Sequence, residues 1–459
     1  MNPAEQGCWQ TACMRHASLN VFVAGAGYHE AAWKVERSAS GHTGSAGRPP
    51  VLGLDHFVDI AQTAERGLLD SLFFADAPGV AEFRTHYMVQ AGYDPIDLLA
   101  ALTPVTRHIG LAATASTTYS VPWDLARRFA TLDQLSLGRA GWNIVTTGNP
   151  HAAANFGLDQ HPEHAARYDR AEEFVEVVLK VWDGWEDDAV LASAAATGRW
   201  ADAAKLHPPR HRGEHYSVAG ILPFPRSPQG HPVLAQAGSS PAGVALAGRF
   251  ADLVFTPQAS FEQSVAFRQR IQSEAASNGR DPEHIRLLPG LSFVLGSTDG
   301  EAHSAWDELE AASSEEFRLL NLMHIAGVDH TAVGAFDPDG PFPFRIFDRA
   351  TGQTFAAAVC TAAREHGLTF RQAARRFSTL PGGLHHTGTP ESLAEIIETW
   401  WRGGAADGFT LQPLRLPRDL TLFVDHVVPL LRKRGVTPYE YAPGTFRDRL
   451  GLLRPANPR

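Results

Sequence analysis

Short apolar runs alternate with segments of helical period from residue 18 almost to the end of the chain. The apolar runs are SLNVFVAG, SLFFAD, IGLAATAS, AGWNIVT, HPVLAQAG, ADLVFTP, IRLLPGLSFVLG and DGFTLQP. Between the first two, Leu54, Phe57, Val58, Ala61, Ala64 and Leu68 recur at helical spacing. After AGWNIVT, the segment RYDRAEEFVEVVLKVW places Phe174, Val177, Val178, Val181 and Trp182 on one helix face. Strands that are apolar along their whole length are buried on both faces, which is the condition of a parallel sheet covered by helices. A series of this length either closes into a (β/α)8 barrel or spreads into a doubly wound sheet.

Two stretches break the rhythm, roughly 183–232 and roughly 297–385, and insertions this long serve as lids or binding loops or lie disordered. Length does not separate one domain from several, because α/β barrels commonly exceed ~150 residues in a single domain. The net charge of −10 argues against nucleic acid or an anionic membrane as partner, since phosphate recognition needs a basic face. Cys8, Cys13 and Cys360 form no CxxC pair and no disulfide framework. The N-terminal extension, residues 1–15, is polar and expected to be disordered. No apolar run approaches the ~20 residues of a membrane span, and the start lacks a signal-peptide core, so a cytoplasmic protein is expected.

Polar residues gather where the apolar runs end. The second run ends at Asp76, the third at Thr114 and Ser116, the fourth at Asn143, Thr146 and Thr147, and the fifth at Gly238, Ser239 and Ser240. Each could simply cap a helix; several at one end of a barrel point to a site, because functional loops follow the strands there. In AGWNIVT the neighbours Trp142 and Asn143 face opposite sides of a strand, and both need hydrogen-bond partners if buried. QAGSSPAG combines a strand end, a capping serine (Ser240) and Pro241 at the first helical position. Free N–H groups at such a helix start suit a phosphate. His164 and Tyr168 lie four apart where a helix begins, and so share a face. His207, His211 and His215 are also spaced by four, but Pro208 and Pro209 break the helix that metal binding would need; no metal is expected. There is no Walker, GxSxG or GxGxxG motif.

The combination of HEAAW, IGLAATASTTYSVPWDLARRFATLDQLSLGRAGWNIVT, AAANFGLDQHPEHAARYDRAEEFVEVV, WEDDAV, PRSPQGHPVLAQAGSSPAG, GRDPEHIRLLPGL, GGAADGF and TFRDRLGL resembles the nitrilotriacetate/dibenzothiophene-sulfone monooxygenase group of bacterial-luciferase-like flavin monooxygenases. The resemblance spans roughly residues 16–453. It implies an α/β fold: one luciferase-like (β/α)8 TIM barrel over 16–453, carrying the two insertions, with 454–459 as a tail. It implies a two-component enzyme that takes reduced FMN from a separate NAD(P)H-dependent flavin reductase. Such an enzyme oxygenates an organic substrate with O2 through a flavin (hydro)peroxide, and a homodimer or homotetramer is expected. Carried over by position, Asp76, Thr114 and Asn143 face the flavin ring, His164 and Tyr168 reach the flavin or its phosphate, and Ser239 and Ser240 form the phosphate turn. His324 falls where related enzymes place a pocket histidine and is the catalytic candidate. The alternatives are a flavin- or deazaflavin-dependent dehydrogenase of the same fold and a flavin-binding protein without turnover. The segments EFRTHYMVQAGY and GAFDPDGPFPFRIFDRATGQ depart from the group and are expected to border the substrate pocket, so the substrate does not transfer from any relative.

Overall fold

The computed structural model describes residues 16–35, 49–76, 78–347, 353–378 and 383–458. The N-terminal extension with Cys8 and Cys13 lies outside the described residues.

Eight parallel strands form the closed barrel: β1 (Ser18–Val23), β2 (Ser71–Phe74), β3 (Gly110–Ser116), β4 (Ala140–Val145), β5 (Val233–Gln236), β6 (Leu253–Thr256), β7 (Arg286–Leu295) and β8 (Gly408–Pro413). β7 closes the ring, pairing with β6 through Arg286–Pro289 and with β8 through Gly290–Phe293. The barrel helices are α1 (Leu54–Arg66), α2 (Pro95–Leu102), α3 (Pro122–Leu135), α4 (His164–Trp182), α5 (Pro241–Phe250) and α6 (Phe261–Ser277). The second insertion carries α7 (Asp299–Ala312), α8 (Glu315–Ile325), α9 (Gln353–His366) and α10 (Phe370–Phe377), and α11 (Pro390–Arg402) precedes β8.

Strand parity divides the core. Leu111, Ala113, Ala115, Trp142 and Ile144 point outward and pack under the helices. Trp142 is fully buried against Phe129 of α3 and Phe174 and Trp182 of α4, and its indole N–H donates to the Ala115 carbonyl at 3.1 Å. The partner that a buried indole needs is therefore a main-chain carbonyl of the neighbouring strand. At the other end of the barrel, Phe446 joins Val233, Ala235, Leu253 and Leu288 in an apolar layer. A Cβ on Gly110 would lie 2.8 Å from the Phe446 ring, so only glycine leaves room for this plug. TFRDRLGL thus acquires a structural reading. Thr445 and Asp448 make a capping box, Phe446 fills the barrel floor, and Arg447 forms a two-pronged ion pair with Asp252 at 2.7 and 3.1 Å.

The structure differs from the sequence expectation at three points. Leu54 keeps the helical spacing but is 47% exposed, because it opens α1 on its solvent side. β2 stops at Phe74, so Asp76 sits in the following loop rather than at the strand end. The second insertion is neither a plain loop nor disordered in its described residues. Its helices gather their own apolar cluster around Met323, Val359 and Phe370, and a further strand, Leu384–Gly388, pairs with the half of β7 that extends past β6. LHHTG lacks an apolar run, which is why its sequence does not announce a strand.

In the first insertion the spaced histidines pair with acids. His207 meets Glu186 at 2.7 Å, His211 meets Glu173 at 2.8 Å, and His215 meets Asp169 at 3.3 Å. Arg454 pairs with Asp187 and Asn457 donates to the Trp185 carbonyl, so the C-terminal segment laces this insertion to the barrel. No helix of the described residues is long and apolar enough to cross a membrane.

Candidate functional site at the C-terminal end of the barrel

Thr114 and Asn143 are register partners on β3 and β4, and both face inward. The Asn143 amide donates to Thr114 Oγ1 at 2.9 Å, while its Oδ1 is buried with no partner among the described residues. A buried acceptor left in this state costs roughly 1–3 kcal/mol, a penalty that a donor on a ligand would remove. Just beyond, Thr147 has φ of 50°, a conformation unfavourable for a β-branched residue. Its hydroxyl is tied to Ser116 Oγ at 2.7 Å, and Thr118 Oγ1 donates to the Thr146 carbonyl at 2.8 Å. These bonds hold a strained strand end in one shape, as sites that bind ligands commonly require.

One strand over, Asn143 is in register with Ala235 of β5, and the chain turns through Gly238, Ser239 and Ser240 into α5. Ser240 Oγ accepts from the Gly243 N–H at 3.1 Å, and Pro241 takes the first helical position, as QAGSSPAG predicts. A Cβ on Gly243 would lie 2.8 Å from the Gly238 carbonyl group, so the helix can start this close to the strand end only with glycine there. Ser239, half-buried, sits immediately before the start of α5, where the helix dipole and the first N–H groups favour an anion. A Cβ on Gly238 would lie 2.8 Å from Tyr168 Oη, which places the phenol against this turn. The His164 ring lies 4.8 Å from that of Tyr168, centroid to centroid, with His164 exposed. His164, Tyr168, Ser239 and Ser240 therefore form one group, and Thr114 with Asn143 a second group beside it. Asp76, half-buried, lies in the loop after β2.

His324 belongs to neither group. It lies near the end of α8, with ring centroids 5.6 Å from Phe83, 5.7 Å from His151 and 5.9 Å from His330. Burial, reinforced by Arg84 and by the two neighbouring histidines, pushes its pKa down to about 4, so the ring is neutral near pH 7. His151 arrives from the loop after β4, which Asn149 and Asn155 fasten to the carbonyls of Gly79 and Pro78. A Cβ at Gly79 would meet the Ala152 nitrogen at 2.5 Å, so glycine permits the close crossing of these two loops. The barrel interior holds a cavity of about 70 Å3 lined by Tyr28, Phe255, Gly290, Ser292 and Gln412, and Arg84 acts electrostatically on the Tyr28 phenol at its edge. Phe255 gives it an aromatic wall, and Phe73 and then Phe22 pack in series behind Phe255. Burial pushes the Tyr28 phenol pKa up, and a hydrogen bond with Gln412 acts in the opposite sense.

Arg84, Tyr28, His151, His330 and Gln412 escape sequence reasoning. Their only cues are a charged residue within the aromatic EFRTHY and histidines in loops, neither of which reports a fold-level neighbour. The donor set otherwise fits a phosphorylated, planar ligand with amide edges. An open helix start meets the phosphate, an unpaired amide oxygen meets a ring N–H, and an aromatic cavity borders the ring.

Comparison with known proteins agrees with this geometry. The model of the luciferase-like monooxygenase family matches residues 34–408. N-acetyl-S-(2-succino)cysteine monooxygenase of Bacillus subtilis (strain 168) is 40% identical over 449 residues, 97% of this chain and 99% of that one. Nitrilotriacetate monooxygenase component A of Aminobacter aminovorans is 41% identical over 415 residues, 88% of this chain and 91% of the relative. Among solved structures, a riboflavin lyase crystallised with modified FMN and riboflavin superposes with a TM-score of 0.82 at 32% identity, covering 96% of this chain and 97% of that one. The chain belongs to the luciferase-like monooxygenase family.

Proposed function

We propose that this luciferase-like monooxygenase receives reduced FMN from a separate NAD(P)H-dependent flavin reductase and uses O2 to oxygenate an organic substrate at the C-terminal end of its barrel. The observation that carries the reading is the juxtaposition, on adjacent strands, of the unpaired Asn143 amide oxygen and the open start of α5. The names of the relatives, one of them a component A, support both the oxygenation and a second, electron-delivering component.

In this reading Ser239, Ser240 and the N–H groups that open α5 bind the phosphate, where the helix dipole favours negative charge. Tyr168 closes the side of that turn, with the exposed His164 ring tilted against it at the rim. Asn143 and Thr114 orient the ring, and Asp76 borders it from the loop after β2. When bound, reduced FMN supplies the two electrons and the O2 chemistry that leave one oxygen atom in the product and the other in water. Phe22, Phe73 and Phe255 keep water from the interior, which preserves reducing equivalents for the substrate. His324, held neutral, offers a substrate one ring N–H donor or one acceptor nitrogen.

The test supplies the enzyme with FMN, NADH, a flavin reductase and 18O2, and follows a panel of amines, thioethers and sulfones by mass spectrometry. One 18O atom per product is expected. Substrate conversion without label, as a hydride-transferring dehydrogenase of this fold would give, overturns the proposal.

A further inference from the structure

Arg84, half-buried, is unlike the buried arginines of this chain. Arg415 is paired with Asp419 at 2.7 Å, Arg447 with Asp252 at 2.7 Å, Arg318 with Glu310 at 2.7 Å and Arg226 with Asp183 at 2.8 Å. Arg139, without a carboxylate, instead donates to the carbonyls of Thr103, Thr106, Ile109 and Ser136. Arg167 donates to the Pro162 carbonyl at 3.0 Å and also meets His161. The half-buried Arg84 guanidinium has only a contact of Nη2 with Met88 Sδ at 3.3 Å, a weak acceptor. Among the described residues it has no carboxylate and no carbonyl partner.

Withdrawing a cation from water without a counter-charge is unfavourable unless something compensates it. The surroundings deepen the deficit. Arg84 acts electrostatically on the Tyr28 phenol at the barrel cavity and on the His324 imidazole. His151 and His330 pack against His324 and one another, and Phe83, the neighbour of Arg84 in the chain, packs against His324 and His330. Every polar group described here in this cluster can donate a hydrogen bond, and none carries a negative charge near pH 7. The anion site at the start of α5 lies elsewhere on the rim. Arg84 follows β2, whereas α5 follows β5, with β3 and β4 between them in the ring.

We infer that Arg84, together with His324 and the histidines His151 and His330 packed against His324, forms an anion subsite on the substrate side of the barrel mouth, and that the molecule oxygenated here carries a carboxylate. The inference rests on the monooxygenase reading for its reaction, though not for its binding chemistry. A carboxylate accepts two parallel N–H bonds from a guanidinium and fills the remaining donor directions with imidazole N–H groups. Arg84 is thereby assigned as a substrate-binding residue, and the aromatic cavity beside Tyr28 receives the group to be oxidised.

The test is equilibrium binding, by calorimetry on the FMN-loaded full-length protein. The probes are nitrilotriacetate, N-acetyl-S-(2-succino)cysteine, thiodiglycolate and methylthioacetate, each compared with its methyl ester. At least one free acid is expected to bind ten times more tightly than its ester. Arg84→Gln is expected to abolish that preference, Arg84→Lys to keep part of it, and both to leave FMN affinity within about twofold of wild type. Three results overturn the inference: no acid preferred over its ester, a preference that survives Arg84→Gln, or a large loss of FMN affinity in both variants. Should Arg84→Gln fail to fold, Arg84→Lys decides, because loss of the planar fork must still weaken the acid relative to the ester. Binding requires no turnover, so failure of 18O incorporation with the acid preference intact removes the proposed reaction and leaves the subsite standing.

Discussion

The two walls of the barrel mouth are built by different means. On one wall, Thr114, Asn143, Ser239 and Ser240 sit on or immediately after strands β3, β4 and β5, and their directions follow from parity and helix capping. On the other, Arg84, His151, His324 and His330 come from the segments after β2 and β4 and from the second insertion; the three imidazoles pack with one another and with Phe83, and Arg84 acts electrostatically on His324. A wall set by strand register is fixed by the scaffold and suits a constant cofactor. A wall assembled from insertions can change its chemistry without disturbing the barrel, which suits a variable substrate.

The largest effect that would break this division is expected at Gly243. A Cβ there meets the Gly238 backbone at 2.8–2.9 Å, so Gly243→Leu must push α5 away from the end of β5 and spoil the proposed phosphate cradle. Reduced-FMN affinity is expected to fall more than 100-fold in a fluorescence titration, while circular dichroism retains the α/β signature. Flavin affinity within a few-fold of wild type would mean that the phosphate is held elsewhere, and the scaffold-set wall would lose its main support.

Asn143 comes next, because it separates binding from stability. Asn143→Leu keeps much of the side-chain volume and removes the buried oxygen that lacks a partner. Flavin affinity is expected to drop at least tenfold. The melting temperature of the flavin-free protein should hold or rise, since an unsatisfied buried acceptor is worth roughly 1–3 kcal/mol of destabilisation. A marked fall in melting temperature with flavin affinity intact would instead make Asn143 a structural partner of Thr114.

The same division explains what could be read in the sequence. All eight barrel strands were legible, because fully buried parallel strands are written as unbroken apolar runs. The opposite roles of Trp142 and Asn143 followed from the two-residue period of a strand, and the structure turns the indole under α3 and α4 and the amide inward. The cap at Ser240 was legible for the same local reason. The segment EFRTHYMVQAGY was marked as pocket-bordering by its departure from the group, but Arg84 within it was not singled out, since nothing in EFRTHY says that no carboxylate waits nearby; an unpaired charge is a statement about every other element of the fold. His324 was located through resemblance alone, and its neighbours His151 and His330 became visible only when the loops were seen to cross. The strand Leu384–Gly388 was hidden because two histidines, a threonine and a glycine carry no apolar signal.

The smallest effect expected lies in the insertion-built wall and is read as pH dependence. His324 is faced by Arg84 and Phe83 from the short helix Glu82–Tyr87, by His151 from the loop after β4, and by His330. Its pKa is pushed down to about 4 in the folded protein, against 6.5 for an unperturbed histidine. Between those values the unfolded chain binds a proton that the native chain refuses, so native stability falls as pH drops from 6.5 towards 4 and is level above. One such group contributes a slope of at most about 1.4 kcal/mol per pH unit. Urea titrations of His324→Gln are therefore expected to show a shallower decline over this interval than wild type. Asn143→Leu, on the cofactor wall, should run parallel to wild type at every pH. Equal slopes in wild type and His324→Gln would show that the ring titrates as it does in water, and the wall would then lack the buried cationic character that sets it apart from the other.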